Sequence, residues 1–384
     1  MGCEFAGEMK YARGLEGVTA AITSIACIDG EEGKLIYRGI PIEQMAEYST
    51  FEETAYLLWF GKLPTAKELE DLKEKLVKER ALSDDIIDHM RKFPKDADPM
   101  DVLRTAVSLL GMTDPEVKNP NREVNIRHSI KMTAKIPTII SAYHRLRNGK
   151  DPIPPRNDLS HAANFLYMLL GEVPDPQIER IMDIALILHA EHGMNASTFA
   201  AMVTASTLSD LYSAVVSAIG TLKGPLHGGA NTRVLYMLEE IGSLENVEKY
   251  VLDALKEHRK IMGFGHRVYK AYDPRARILK RYAKELSEKK GDTLWYRMGE
   301  EIERIMIREV GKKGIFPNVD FYSGMVYHHM GIPRDLFTPI FALSRVVGWT
   351  AHILEYLEAN RIFRPRAIYN GPIDVEYTPI EKRQ

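Results

Sequence analysis

The sequence predicts a mainly α-helical protein with one small N-terminal β-hairpin, and three observations carry that prediction. Apolar residues recur at helical spacing along most of the chain, Thr or Asp repeatedly stands just before such a run, and β-prone runs are confined to the segment before residue 38. A length of 384 residues gives room for two domains, and 45% hydrophobic with 27% charged residues is the balance of a globular chain.

The elements follow in order. Ala21 to Cys27 and Lys34-Leu35-Ile36-Tyr37 flank Asp29-Gly30, a hairpin turn signal. Thr50 with Glu53 makes a capping box before Ala55-Tyr56-Leu57-Leu58-Trp59, and Gly61 stops that helix. Thr65 with Glu68 opens the next, with Leu69, Leu72 and Leu76 on one face. Asp98-Pro99 and Asp175-Pro176 each place an N-cap before a proline at the first helical position, ahead of Leu103, Val107 and Leu110 and of Ile178, Ile181, Ala185 and Leu188. Pro152 to Pro155 forms a loop. Ala196 to Leu222 is small or apolar on all sides, as in a helix at the centre of a large helical domain or at a subunit interface. From about residue 222 to 325, Gly-rich turns separate charged amphipathic helices; apolar helix then returns and ends in an irregular tail from Arg364. The expected organisation is a large domain over residues 1–221, a small domain over 222–325, and a return to the large domain over 326–384.

Fifty-one Lys and Arg against 53 Asp and Glu give a net charge of −2, which excludes the global basic field of a nucleic-acid binder but leaves local basic pockets open. Two cysteines make neither a disulfide framework nor a Cys-rich zinc site, and a Cys3–Cys27 bridge would need an oxidising or hyperthermophilic setting. The start Met1-Gly2-Cys3 carries Ala6 where a myristoylation signal requires Ser or Thr. No signal peptide is expected, because Met1 to Lys10 holds Glu4 and Glu8 and no apolar core stretch, and no membrane span, because the uncharged stretch His192 to Ser209 holds Asn195 and six hydroxyl residues. The expected location is the cytoplasm.

Several residues are suited to acid/base chemistry. His227 lies in Gly224-Pro225-Leu226-His227-Gly228-Gly229 ahead of a helix-prone run, so its imidazole stands near a helix N-terminus that depresses its pKa. His266 lies in Met262-Gly263-Phe264-Gly265-His266, where glycines permit close backbone approach to a ligand. Asp273-Pro274-Arg275 puts Arg275 in a first helical turn, facing either solvent or an anion. Asp320, after Phe316-Pro317-Asn318-Val319, is either an N-cap or a base of perturbed pKa. Arg345 is a charge inside an apolar helix and must pair with a carboxylate, internal or bound. His189 and His192 share a helix face but have no third ligand nearby, and the adjacent His328-His329 point to different faces, so no metal site is expected. Phosphate-binding loops, dinucleotide fingerprints and nucleophile elbows are missing from the sequence. Histidines, arginines and one carboxylate are what remain, a set suited to acid/base chemistry on a polycarboxylate.

These residues resemble those of the citrate synthases. The likeness runs from Ile28-Asp29-Gly30 and Tyr37-Arg38-Gly39 through Gly61-Lys62-Leu63-Pro64 to Arg364-Pro365-Arg366. Its most specific marks are the His227 loop, Gly263-Phe264-Gly265-His266-Arg267-Val268-Tyr269, Asp273-Pro274-Arg275 and Pro317-Asn318-Val319-Asp320, in family order. The length and short N-terminus resemble the compact archaeal and bacterial members. The resemblance implies a helical homodimer with the active site between a large and a small domain, no permanently bound cofactor, and a coenzyme A thioester as co-substrate beside oxaloacetate. By motif, Asp320 is the base for acetyl-CoA, His227 donates to the thioester oxygen, and His266 acts on the ketone oxygen of oxaloacetate. His192, Arg275 and Arg345 hold the oxaloacetate carboxylates, with Arg364 supplied by the partner subunit. The loop Lys260, Ile261, Met262, Gly263 and Phe264 lies along the coenzyme A adenine, Lys270 and Lys313 meet phosphate, and Asn318 is a further coenzyme contact. One departure is that Gly193 follows His192 where relatives carry Glu. 2-Methylcitrate synthesis from propionyl-CoA is the nearest alternative; a non-catalytic carboxylate or coenzyme A sensor is the alternative of a different class, and the intact catalytic positions argue against it.

Overall fold

The computed structural model describes residues 11–118 and 120–384, so the Cys3–Cys27 pairing and the Met1-Gly2-Cys3 start lie outside the described residues. The hairpin forms, but its first strand is shorter than the β-prone run. β1 (Ala26–Asp29) pairs antiparallel with β2 (Lys34–Tyr37), and β2 with an unanticipated two-residue β3 (Ile40–Pro41). Asp29 organises the turn by accepting from the Glu31 and Glu32 amides at 3.0 and 2.9 Å. At the tip, the Gly30 carbonyl accepts from Lys270 N at 2.8 Å, and a Cβ on Gly30 would stand 2.2 Å from the Val268 oxygen. Only glycine lets the turn dock on the loop that follows His266.

The rest is helical: α1 (Ile42–Tyr48), α2 (Phe51–Phe60), α3 (Ala66–Glu79), α4 (Asp84–Arg91), α5 (Pro99–Thr113), α6 (Arg122–Arg147), α7 (His161–Leu170) and α8 (Pro176–His189) come first. They are followed by α9 (Ala196–Ser206), α10 (Leu211–Leu222), α11 (Ala230–Ile241), α12 (Val247–Lys256), α13 (Pro274–Lys290), α14 (Leu294–Val310), α15 (Val319–His329) and α16 (Phe337–Leu357). Local chemistry places many of the starts. Asp98 and Asp175 cap α5 and α8, each with proline at its first position. Thr65 and Glu68 form a reciprocal box at α3, whereas at α2 only Thr50 accepts, from Glu53 N at 3.2 Å.

The expected single helix from Ala196 to Leu222 is two. Leu208 takes a left-handed φ of 64°, and Asp210 caps α10 by accepting from Ser213 N at 2.9 Å. The halves pack on one another, and α10 also packs on α5. α16, buried along nearly all its length, runs against α2, α6, α8 and α9. A second group joins α11, α13, α14 and α15, while α1 bridges α8 and α13. No helix among the described residues is long and apolar enough to cross a membrane.

Candidate active site

His227 stands in the turn between α10 and α11. Its Nε2 accepts from the Ser197 amide at 3.3 Å and lies 2.8 Å from Ser197 Oγ, which itself accepts from Trp349 Nε1 at 3.0 Å. A backbone N–H can only donate, so Nε2 is the acceptor and Nδ1 carries the proton. The imidazole pKa is lowered to about 4, first by burial and then by Arg345. The depression is as expected, and desolvation and the Arg345 guanidinium contribute to it.

His266 is fixed in the opposite tautomer. Its Nδ1 accepts from Val268 N and Tyr269 N at 3.0 and 3.1 Å, which leaves Nε2–H as the free donor. Burial, and then the Arg275 charge, lowers its pKa to about 4. Gly263 and Gly265, at φ of 77° and 81°, shape this loop, and Gly265 N donates to Phe316 O at 2.9 Å. His192 packs edge-on against His266 with ring centroids 5.2 Å apart, and its Nε2 lies 3.2 Å from the Tyr269 hydroxyl. It is not on a helix face with His189, since α8 ends at His189 and His192 falls in the following loop. Gly193 sits at φ 59°, a left-handed turn that glycine adopts freely.

Asp320 is not the N-cap of its helix. Asn318 is, accepting from Asp320 N at 3.0 Å, and this puts Asp320 in the first turn of α15. Its Oδ1 is buried with no hydrogen-bond partner among the described residues. Burial raises its pKa to about 7, and Arg275 and Arg345 pull the other way. Asn318 also donates through Nδ2 to Gly265 O and through its backbone to Gly263 O, both at 2.9 Å. Its amide therefore ties the His266 loop to the Asp320 turn, and the side chain expected to meet coenzyme A is engaged inside the protein.

The arginines are buried, not solvent-facing. Arg275, 2% exposed, forms a two-point pair with the α13 N-cap Asp273 at 3.0 and 2.8 Å, and Asp273 Oδ2 also accepts from Val319 N at 3.2 Å. Arg345, 1% exposed, has no carboxylate in ion-pair contact among the described residues. Its Nε donates to His189 O at 2.6 Å, its guanidinium lies 4.7 Å from the Phe341 ring centroid, and its Nη2 is buried without a partner among those residues. Burial lowers its pKa to about 10, opposed mainly by Glu191. An orphan guanidinium nitrogen costs too much to leave unmet, and a planar carboxylate fits it.

Sequence reasoning missed the supports. Glu191, wholly buried, accepts from His352 Nε2 at 2.9 Å and from Gly193 N, and Tyr37 clamps its backbone at 2.8 Å. Ser197, Trp349 and Tyr269 are the others. Only Asn195, the N-cap of α9, left a local signal.

The coenzyme A candidates divide. Lys270 and Lys313 line one cavity of about 590 Å³ with Arg277 and Lys312, a basic recess beside the His266 loop. Lys260 is exposed, Met262 and Phe264 are partly buried, and Gly263 is buried. The Ile261 side chain, 5% exposed, is part of the core, so only its backbone is free for a ligand. Arg364 is exposed in the tail and donates to Pro365 O at 2.8 Å.

Two tautomer-locked histidines, a carboxyl of raised pKa and buried arginines together define a site suited to acid/base chemistry on a carboxylate-bearing ligand. The family model described as citrate synthase, C-terminal domain, matches residues 14–366. The chain is 51% identical over 375 residues to the citrate synthase of Deinococcus radiodurans, covering 98% of this chain and 100% of that one. It is 42% identical over 366 residues to a citrate/2-methylcitrate synthase of Bacillus subtilis, covering 95% and 98%. The crystal structure of citrate synthase from Thermotoga maritima superposes with a TM-score of 0.88 at 49% identity, covering 97% of this chain and 99% of that one. The Thermoplasma acidophilum citrate synthase, solved in ternary complex with carboxymethyl coenzyme A and oxaloacetate, superposes at 0.93 with 37% identity, covering 97% and 100%. The chain belongs to the citrate synthase family and is an enzyme of the acyltransferase class.

Proposed function

We propose that this enzyme condenses acetyl-CoA with oxaloacetate and water to give citrate and free coenzyme A, as a cytoplasmic homodimer with no resident cofactor. The observation that carries the reading is the pair of neutral imidazoles, each with one nitrogen tied to backbone amides, within the field of the same arginines as Asp320. A thioester α-proton is too weakly acidic for a lone carboxylate. Asp320 takes it while His227 Nδ1–H bonds the carbonyl oxygen, a stabilisation of several kcal/mol in a dry site. The enol carbon then attacks the ketone carbon of oxaloacetate, and His266 Nε2–H meets the developing alkoxide. Water cleaves the resulting citryl thioester, and coenzyme A leaves with the thiol proton. His192, Arg275 and Arg345 orient the oxaloacetate carboxylates, Arg364 of the partner adds a further cation, and the Lys270 and Lys313 recess takes phosphate of the coenzyme beside the 260–264 loop.

Closure of the small unit (222–325) over the large one (1–221 with 326–384) excludes water and protects the thioester intermediate. Because α15 runs unbroken across residue 325 to His329 and packs on α11 and α13, the closing unit extends to His329 rather than stopping at 325. The test is thiol release with oxaloacetate, comparing acetyl-CoA and propionyl-CoA. A higher kcat/KM for acetyl-CoA is expected. One methylene is worth about 1–3 kcal/mol in a pocket, so a propionyl preference would move the assignment to 2-methylcitrate synthesis, and no release from folded protein would overturn it.

A further inference from the structure

We propose that Asp292, His328 and His329 form a binding site for a first-row transition-metal dication of the zinc type, at the end of α15 opposite Asp320. Asp292 lies in the turn between α13 and α14, just after Gly291, the left-handed C-cap of α13. The two histidines are the last residues of α15. One ligand atom from each of the three residues lies within 4.8 Å of the others. The adjacent histidines, expected on different faces, converge at this helix end with ring centroids 5.3 Å apart.

A second observation points the same way. His329 is 5% exposed, and its Nε2 is buried with no hydrogen-bond partner among the described residues. Buried ring nitrogens are rarely left so, and metal coordination would satisfy this one. His328 is held by Trp295 of α14, whose ring centroid lies 4.3 Å away. Among nearby charges, Asp292 favours a dication while Lys290 and Arg334 oppose it; Arg334 is occupied by Glu239 at 2.7 Å.

Two imidazoles and one carboxylate, with a fourth position left to water, suit zinc-type ions rather than oxygen-seeking magnesium or calcium. Tetrahedral zinc holds its ligand atoms roughly 3.3 Å apart, so closing the set takes shifts of up to about 1.5 Å between them, within reach of side-chain rotation. The other cluster of similar composition, Asp114, Glu116 and His128, is already neutralised. Asp114 accepts from Lys131 and Tyr212 at 2.6 and 2.7 Å, and Glu116 from Arg127 at 3.1 Å. The proposed site would clip the α13–α14 turn to α15 at about 14 Å of helix rise from Asp320, outside the reacting groups.

The test is calorimetric titration of chelator-treated, untagged full-length protein with Zn2+, alongside Ni2+ quenching of tryptophan fluorescence. One equivalent per chain is expected, with affinity lowered at least tenfold in both His329→Gln and Asp292→Asn. Asp292 is exposed, so its variant folds whatever happens to the His329 variant. Trp295→Phe should abolish most of the Ni2+ quenching while keeping Zn2+ binding. Absence of stoichiometric binding, or binding unchanged in the Asp292 and His329 variants, would overturn the proposal.

Discussion

Asp320→Asn should stabilise the free protein while destroying its turnover, and the gain should depend on pH in a defined way. Burial raises the Asp320 carboxyl from 3.8 to about 7, so folding favours its protonated form. A group whose folded pKa is raised contributes stability that is complete below the unfolded value and is lost as pH rises to the folded value. At 1.36 kcal/mol per pH unit, the full loss above pH 7 is roughly 4 kcal/mol, an upper bound because Asp320 is only partly buried by surface area. Asparagine has no such charge to bury. The variant should therefore gain up to about 4 kcal/mol at pH 8 and about 2 kcal/mol at pH 5. Urea denaturation of both proteins at one fixed chain concentration reads the difference. A gain that is absent, or equal at the two pH values, would refute the argument that a desolvated carboxylate is stored at this site.

Other expectations concern the rest of the site. Because Asp320 must be ionised to act and titrates near 7, while His227 and His266 stay neutral above about 4, kcat/KM should rise through pH 7 and then level off; a pH–rate profile checks this. Glu191→Ala strips His352 Nε2 and the Gly193 amide of their acceptor, at about 1–3 kcal/mol per buried group, and should raise KM for oxaloacetate. Glu191→Gln keeps an acceptor and should recover most of the stability, as denaturation of the two variants would reveal. Lys270→Ala should raise KM for acetyl-CoA by about tenfold with little change in kcat, the signature of lost phosphate binding. Mixing Arg364→Ala with Asp320→Asn subunits should restore about a quarter of wild-type activity, since half of the dimers would carry one intact site; exchanged dimers that stay inactive would remove Arg364 from the partner's site.

Features governed by neighbours in the chain were legible beforehand. Asp98-Pro99, Asp175-Pro176 and Thr65 with Glu68 start helices because a cap acts over three residues, and the structure follows them. The break at Leu208 was hidden because a small, apolar run has no face to contradict a single helix, although Asp210 marks the restart. At α15, of the two alternatives the sequence left open for Asp320, the N-cap is excluded: Asn318 takes that role and leaves the Asp320 carboxylate in the first turn. The supports of the site were out of reach for another reason. Glu191 meets His352 across 161 residues, and Trp349 reaches Ser197 across 152. Such pairs are set by how α8, α9 and α16 pack, which no local pattern encodes. Arg345 shows the complement: burial in an apolar helix was evident, while the missing carboxylate partner emerged only with its surroundings.

The most direct test of the account pairs binding with turnover in one variant. Asp320→Asn and wild-type protein would be compared for oxaloacetate affinity by calorimetry and for oxaloacetate-dependent thiol release from acetyl-CoA. Similar affinity and a loss of several orders of magnitude in kcat are expected, because in the proposed mechanism Asp320 takes the reacting proton and the arginines hold the dicarboxylate without it. Near-normal thiol release from the variant would contradict it.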